Sequence, residues 1–499
     1  MFLEAEGGAG RGPGADRQAA GLRRAGVDLP GFAKKLLGQI VFLYFVQKKG
    51  WLGVAADQLW GSGPRDFVRR LYDRANGFVY DSFFNDVLEP LFYDALALQR
   101  AEDGFRFGDR TVKIPFLNGG LFEPMGGYDW RHTHLALPNA LFSNRRDPQD
   151  DQGTGILDVF DRYNFTVWEE EPLEKEVAVD PGDAGQGLQN MLEVRDRKSR
   201  GPSTPCEIVH YMCQESLIHY LDTALNRVET SLVPEQPTQD PFFGEPPPKQ
   251  QALTVPQRRE SVPREEIAAL VRRGALALQQ DAAKEAGLQS GDYVLPESVR
   301  RHAAKLDAAL AGIKLCDPAI GSGAFPVGML HEIVQARLAL DTQLKSGRTP
   351  YALKRHAIQQ SIYGVDIDGG AVEIAKLRLW LSLVVDEESY ADIQPLPNLD
   401  YKIVQGNSLG QVKKNLFNMA LFTDLDALKR RYFDETHPTE KTKLRAQIEQ
   451  LIGLLTNGMQ DFDFDVYFHE VFEGRGGFDV VIGNPPYIKE YTADPRLMA

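Results

Sequence analysis

The chain has 499 residues, and because single hydrophobic cores seldom grow beyond ~250–300 residues we expect at least two domains. Its composition, 43% hydrophobic and 25% charged, is typical of a globular protein with a large core. The net charge of −14 argues against a surface that binds nucleic acid everywhere, so any DNA contact is expected from a local basic patch or from residues outside this sequence.

The cysteines and the N-terminus predict a cytoplasmic protein. Cys206, Cys213 and Cys316 include no Cys-x-x-Cys pair and no disulfide framework, which fits a reducing compartment and favours buried thiols over a zinc site. The first 30 residues are rich in Gly, Ala and Arg and lack the apolar stretch of a signal peptide, so they are interpreted as a disordered tail.

Residues 31–190 are predicted to form a mainly helical N-terminal domain. The stretch from Phe32 to Leu52 is apolar on nearly all sides, yet it is too short and too charged at its ends to cross a bilayer, which indicates a buried helix. Further helical patterns extend over 64–99, and residues 114–122 have the composition of a turn-rich packing segment.

A second domain is predicted over residues 196–499. It begins with a turn at 201–205, in which Thr204 and Pro205 precede a helix. Residues 233–263 hold many Pro and Gln residues with little apolar pattern, which predicts a mobile insertion. Helices are predicted again at 264–282 and 296–312.

From residue 313 onward, strands alternate with helices. The predicted strands are 313–316, 361–365, 401–404 and 479–482, the main helices are 326–340 and 371–385, and a charged, mostly helical insertion covers 412–458. Such alternation implies a parallel sheet wound by right-handed crossovers, and therefore an α/β fold.

The first of these strands ends in an acid and a glycine-rich loop. Gly321 and Gly323 carry no Cβ, so a ligand can approach the backbone between strand and helix. Asp317 would repel a phosphate but would accept hydrogen bonds from an ammonium group or lie near a sulfonium. The loop therefore favours a cationic ligand over a dinucleotide, and the chain has no Gly-x-x-x-x-Gly-Lys-Ser/Thr sequence that would indicate ATP.

The next three strands also end in groups suited to ligand binding. Asp366 closes the second strand, where an acid can take both hydroxyls of a ribose, and Asn407 and Ser408 after the third can hydrogen-bond an adenine edge. After the fourth, Asn484-Pro485-Pro486-Tyr487 combines an amide, two prolines of fixed φ and a flat aromatic ring, which suits a planar, hydrogen-bonding group. Each loop alone is compatible with an ordinary turn, whereas their joint order indicates one ligand site.

These loops resemble those of a known family. Residues 317–325 are similar to motif I of the S-adenosylmethionine-dependent DNA methyltransferases that act on amino groups, and residues 484–487 are similar to their catalytic motif IV. Thr204-Pro205 resembles motif X, which precedes motif I in the adenine-specific γ class. Stretches at 114–122, 163–166 and 209–214 resemble the large adenine methylases of Type IIG restriction–modification and of phage-defence systems such as DISARM and BREX.

The resemblance implies a Rossmann-like methyltransferase sheet preceded by a mainly helical domain, with S-adenosylmethionine as cofactor and no metal. The residues it assigns to the cofactor are Thr204, Asp317, Pro318, Ala319, Gly321, Gly323, Phe325, Asp366, Ile367, Asn407 and Ser408. Within the catalytic loop of Asn484, Pro485, Pro486 and Tyr487, the Asn484 side-chain oxygen and the Pro485 carbonyl accept the N6 hydrogens of adenine. Tyr487 stacks on an adenine flipped out of double-stranded DNA.

The sequence departs from the family pattern in two places. Ser203 occupies the position where relatives usually have an aromatic residue, which weakens the expected contact with the methionine part of the cofactor. The chain ends at Ala499, so we expect a truncated protein that lacks the remaining strands and a target-recognition domain. The nucleases of Type IIG relatives carry an acid followed by a Glu-x-Lys sequence. Here the nearest stretch, at 174–176, is interpreted as a solvated charged loop, so DNA cleavage is expected from an upstream segment or from another subunit.

Two other functions stay compatible with the sequence. Asn-Pro-Pro-Tyr loops also serve enzymes that methylate a protein glutamine or RNA, and an incomplete chain can bind only cofactor or partner proteins. The large helical domain and Phe325 favour the DNA enzyme. The expected partners are double-stranded DNA and other subunits of a defence system, and no membrane is expected.

Overall fold

The structure, a computed structural model, describes residues 29–162, 205–226, 262–409, 419–456 and 462–485, with short gaps inside the first and third ranges. The chain divides into two compact units: Met1–Val209, Lys314–Leu330 and Thr349–Ala499 form the larger, and His210–Ile313 and His331–Arg348 form the smaller. The predicted tail, the domain boundary between 190 and 196 and the insertion at 233–263 lie almost wholly outside the described residues. Those three divisions stay predictions.

The N-terminal part of the larger unit is mostly helical and also contains a small sheet. Its elements are α1 (Leu29–Lys48), β1 (Val54–Ala55), α2 (Phe67–Tyr72), two π-helical turns (Phe83–Leu88 and Leu91–Leu96), β2 (Gly104–Phe107), β3 (Arg110–Lys113) and α3 (Ile156–Phe160). Helix α1 is buried along most of its length, as predicted for the stretch from Phe32. The three short strands pair antiparallel in the order β1-β3-β2, and their largely half-exposed residues gave no strand pattern in the sequence.

The smaller unit is helical in its described residues. It contains most of α4 (Cys206–Asn226), together with α5 (Arg264–Glu285), α6 (Glu297–Arg301) and α7 (Ala303–Gly312). Asp307 on α7 accepts hydrogen bonds from Arg337 at 2.9 Å and from Arg348 at 2.7 Å. Two guanidinium groups on one carboxylate lower the pKa of Asp307 even though burial acts to raise it.

The larger unit contains a four-stranded parallel sheet. Its strands are β4 (Leu315–Asp317), β5 (Ile362–Asp366), β6 (Ile403–Gln405) and β7 (Val480–Val481), in the order β6-β5-β4-β7. Strand β4 aligns Cys316 with Tyr363 on one side and with Val481 on the other. All four predicted strands are confirmed, and the parallel pairing brings their carboxyl ends to one edge of the sheet.

Helices connect the strands of this sheet. They are α8 (Ala324–Leu344) and α9 (Pro350–Gln360) between β4 and β5, and α10 (Gly369–Val385) between β5 and β6. Helix α9 begins where the Thr349 hydroxyl accepts the N–H of Ala352, with Pro350 at its first position. Helix α10 is buried on nearly all sides, because it packs against α1, α9, β5 and β6.

The described residues of the insertion predicted at 412–458, between β6 and β7, are mostly helical. It contains α11 (Met419–Asp434) and α12 (Pro438–Leu455), followed by the short helices α13 (Phe464–Tyr467) and α14 (His469–Arg475). A hydrophobic cluster of its own joins α11, α12 and α13 through Leu425, Tyr432, Leu444, Ile448, Ile452, Leu455 and Val466. Among the described residues, no helix is long and apolar enough to cross a membrane.

Candidate active site

Asp317 is buried at the carboxyl end of β4. The residue is 1% exposed, and its Oδ1 accepts the N–H of Ala319 at 3.0 Å. Burial raises the pKa of Asp317 to about 7, and the nearby charge of Asp366 adds to the increase. A carboxylate that receives only one backbone N–H keeps acceptor capacity for a ligand, so Asp317 is suited to a cationic group.

The glycine-rich loop after Asp317 adopts a conformation that requires glycine. Gly321 and Gly323 have φ angles of 52° and 86°, which residues with a Cβ rarely adopt. A Cβ on Gly323 would lie 3.1 Å from the Cβ of Ala375 on α10. Gly321 donates its N–H to Oδ2 of Asp366 at 2.8 Å, so the loop of the first strand is fastened to the acid of the second.

Asp366 also joins the second strand end to the third. Its Oδ1 accepts the N–H of Asp368 at 2.8 Å, and its carbonyl accepts the N–H of Gly406 at 2.8 Å. The next side chain, Ile367, is apolar and 69% exposed. The structure therefore holds the carboxylate of Asp366 by two backbone donors and places an uncovered apolar group directly beside it.

In the loop after β6, Asn407 and Ser408 directly follow Gly406. Asn407 is exposed, and its Oδ1 accepts the N–H of Leu409 at 3.0 Å. This contact orients the amide and leaves its NH₂ group as the donor available to a ligand edge. Ser408 is half-buried.

The loop that begins at Asn484 lies directly beside Asp317. Ile482 donates its N–H to the carbonyl of Cys316 at 3.0 Å, which continues the pairing of β7 with β4. Gly483 then passes so close to Asp317 that a Cβ at position 483 would overlap the carboxylate. Asn484 and Pro485 follow and are exposed, so the predicted catalytic loop begins beside the carboxylate of Asp317.

The remaining predicted site residues are placed as follows. Pro318 and Ala319 are half-buried in the loop, whereas Phe325 is 3% exposed in the first turn of α8 and belongs to the core. Thr204, Pro486 and Tyr487 lie outside the described residues, and their roles stay predictions.

Two residues near the site were missed by the sequence analysis. Gly483 was detectable in principle, because a glycine between a strand end and Asn484 indicates a close approach of the backbone. Lys34 on α1 lies with its Nζ 3.4 Å from Oδ2 of Asp368, two residues after Asp366. No local signal identifies Lys34, because it is one of several lysines in a helix far away in the sequence.

Three potential metal ligands meet between α11 and α14. Nδ1 of His469 lies 3.0 Å from Oδ2 of Asp426 and 3.6 Å from Oε2 of Glu473, and the three ligand atoms lie within 4.8 Å of one another. Nζ of Lys429 lies 3.4 Å from Oδ1 of the same Asp426 and 3.0 Å from Oε2 of Glu470. Lys429 thus places a positive charge beside Asp426 and Glu470.

A second group of charges fastens the insertion to α10. Asp400, just before β6, accepts hydrogen bonds from Lys376 at 2.8 Å, from the Tyr432 hydroxyl at 2.6 Å and from Arg445 at 3.0 Å. Burial acts to raise the pKa of Asp400, but the charges of Lys376 and Arg445 outweigh it and lower the pKa. This carboxylate therefore links α10, α11 and α12.

Comparisons with known proteins agree with this architecture. Residues 360–497 match the model of the Eco57I restriction-modification methylase family. The match begins just before β5, so it includes Asp366, Asn407 and Asn484 and leaves out the Asp317 loop. A parallel four-stranded sheet with helical connections fits an α/β methyltransferase-like fold.

A relative with a similar description covers more of the chain. Over 406 residues the chain is 28% identical to a Methanocaldococcus jannaschii protein named "Putative type II restriction enzyme and methyltransferase". The aligned part is 79% of this chain and 29% of the relative, so the chain spans less than a third of the relative's length. In both comparisons the chain is similar to proteins described as restriction–modification methylases or methyltransferases.

Proposed function

We propose that the chain is the S-adenosylmethionine-dependent, adenine-N6-specific DNA methyltransferase part of a restriction–modification or phage-defence system. The observation that carries this proposal is the meeting of Asp317, Asp366, Asn407 and Asn484 at the carboxyl edge of one parallel sheet. The methylase family match over residues 360–497 supports the reaction class. The order of Thr204-Pro205 before the Asp317 loop and of Asn484 after it supports the γ class.

The residues at the sheet edge suit S-adenosylmethionine. This ligand carries a sulfonium and an ammonium group, and a buried carboxylate such as Asp317 stabilises positive charge. Asp366 is fixed by two backbone N–H groups and still has lone pairs for the hydroxyls of a ribose. Ile367 offers an apolar surface for a purine ring. When bound, the cofactor supplies a methyl group activated by the sulfonium.

Asn484 and Pro485 act on the acceptor amine in this proposal. Adenine N6 is a poor nucleophile, because its lone pair is delocalised into the ring. When the Asn484 side-chain oxygen and the Pro485 carbonyl accept the two N6 hydrogens, the nitrogen is drawn toward sp³ geometry and its lone pair becomes available. Tyr487 stacks on the flipped base. The transfer then requires positioning and electrostatics and no covalent enzyme intermediate.

The test is methyl transfer from tritiated S-adenosylmethionine to unmethylated genomic DNA, to RNA and to protein. We expect label in DNA, recovered as N6-methyladenine, and a loss of about 100-fold or more in the Asn484→Ala variant. Calorimetry on the same variant is expected to show that cofactor binding is retained. Equal transfer by wild type and Asn484→Ala would overturn the proposal. If label appeared in RNA alone or in protein alone, that molecule and not DNA would be the substrate.

A further inference from the structure

Helix α1, the first helix among the described residues, reaches the proposed ligand end of the parallel sheet. Helix α1 packs along α10, and two glycines allow the close approach. A Cβ built on Gly38 would lie 3.3 Å from Cδ2 of Leu377, and a Cβ on Gly370 would overlap the side chain of Lys34. The Lys34 side chain therefore lies directly over the first turn of α10, immediately after Asp366, Ile367 and Asp368.

A continuous chain of contacts connects Lys34 to the glycine-rich loop. Nζ of Lys34 lies 3.4 and 3.5 Å from the two carboxylate oxygens of Asp368. Oδ1 of Asp368 accepts the N–H of Gly370 at 2.9 Å, while the N–H of Asp368 donates to Oδ1 of Asp366 at 2.8 Å. Oδ2 of Asp366 in turn accepts the N–H of Gly321 at 2.8 Å.

The charges at this edge also require a cation. Asp317 and Asp366 end two adjacent strands, and Asp368 follows the second of them. The charge of Asp366 already acts to raise the pKa of Asp317. The Lys34 and Asp368 side chains are 18% and 25% exposed, so their attraction is less screened than that of a fully exposed pair. An ammonium group beside Asp368 offsets part of the repulsion among the three carboxylates.

We infer that Lys34 is a positioning residue for the cofactor site. Its ammonium group holds the carboxylate of Asp368, and the Asp366–Asp368 turn then directs the Asp366 carboxylate at the Gly321 loop and at the ribose of the ligand. The identity of the ligand rests on the proposed function, whereas the effect of Lys34 on the turn does not. Lys34 on α1 lies outside the methylase family match, whereas Asp366, the proposed ribose-binding acid, lies inside it. The N-terminal helix thus completes the proposed site.

Two measurements on the full 499-residue chain test this inference. The variants are Lys34→Met, Lys34→Arg, Asp368→Asn and the Lys34→Met/Asp368→Asn double variant. Lys48→Met, about 20 Å further along α1, is the matched control. Hydrogen exchange is followed at the amides of Gly321, Asp368 and Gly370, and the affinity for S-adenosylmethionine is measured by calorimetry.

In Lys34→Met we expect faster exchange at these three amides and cofactor affinity weaker by about three- to five-fold, the range of a part-exposed ion pair. Lys34→Arg is expected to keep both the slow amide exchange and most of the cofactor affinity of the wild type. Lys48→Met is expected to change neither quantity. Adding Lys34→Met to Asp368→Asn should have no further effect. Unchanged exchange in Lys34→Met, or equal losses in Lys48→Met, would overturn the inference. If neither the wild type nor any variant bound S-adenosylmethionine, the proposed cofactor would be wrong. The hydrogen-exchange rates would still decide the role of Lys34.

Discussion

Gly483 lies against the carboxylate of Asp317, so that any Cβ at position 483 would overlap Oδ1. The contact joins the residue before Asn484 to the acid at the end of β4. Backbone pairing holds the two segments together, since Ile482 donates to the carbonyl of Cys316 at 3.0 Å. The spacing between the proposed cofactor acid and the proposed target-base loop is therefore set by the backbone.

Replacing Gly483 with alanine tests this contact. Gly483→Ala is expected to displace either the Asp317 carboxylate or the Asn484 loop, because the added methyl group has no space. We predict a loss of about 1–3 kcal/mol of unfolding free energy, measured by urea denaturation, and a cofactor affinity at least ten-fold weaker by calorimetry.

Gly453→Ala is the control for this substitution. Gly453 lies within α12, and a Cβ there would meet no atom within 4 Å. Alanine is the better helix former, so stability is expected to rise by about 0.5–1 kcal/mol. A Gly483→Ala protein as stable and as active as wild type would contradict the close contact.

The raised pKa of Asp317 predicts that cofactor affinity depends on pH. With a pKa of about 7, the ionised fraction of Asp317 rises about ten-fold between pH 6 and pH 8. Affinity for a cationic ligand should rise in the same interval by up to that factor, as measured by calorimetry. Asp317→Asn should bind more weakly and lose this dependence. Parallel pH profiles for wild type and Asp317→Asn would show that Asp317 does not contact the ligand's positive charge.

The raised pKa of Asp317 also predicts that its contribution to stability falls as pH rises, whereas the affinity for a cationic ligand increases. In the unfolded chain Asp317 ionises near pH ~3.9, whereas in the folded protein it stays protonated until about pH 7. Between these values the folded state binds more protons, so the contribution of Asp317 to stability decreases as pH rises. Urea denaturation at pH 5 and pH 7 should therefore show a larger decrease for the wild type than for Asp317→Asn. Equal decreases would contradict a raised pKa.

The ion pairs around Asp400 predict a large cost for removing one partner. Lys376→Met leaves the part-buried Asp400 carboxylate without its 2.8 Å partner, and breaking such a pair costs about 3 kcal/mol. Arg70→Met breaks an exposed pair with Asp66 at 2.7 Å and should cost less than about 1 kcal/mol. Urea denaturation of the two variants compares them directly, and equal losses would show that the Asp400 group contributes no more than a surface pair.

Metal removal is predicted to leave the protein unchanged. Because Lys429 lies 3.4 Å from Asp426, we expect its ammonium group, and not a divalent ion, to balance the charge of the group formed with His469 and Glu473. Dialysis against EDTA should leave the melting temperature within about 1 °C of the untreated protein, since no binding energy is lost. A lower melting temperature that zinc or manganese restores would assign a metal to these three residues.

Much of the parallel sheet was predictable from sequence, because buried strands of Val, Ile and Leu alternate with long helices. The ends of those strands were identified by Asp317, Asp366 and Asn407, whose residue types are unusual after apolar runs. The small sheet β1-β3-β2 was not predicted, since strands of two to four half-exposed residues carry no periodicity. The Lys34–Asp368 contact joins residues 334 apart, and a single sequence contains no information on such a pair.

The order of the strands also affects how the protein folds. The link between Gly321 and Asp366 closes over 45 residues, whereas β4 meets β7 through Lys314 and Asp479, which are 165 residues apart. Contacts between more distant residues carry a higher entropic cost before any stabilisation is gained, so the shorter closure is favoured first. We therefore expect the contact between the Gly321 loop and Asp366 to form before β7 pairs with β4 and brings Asn484 beside Asp317.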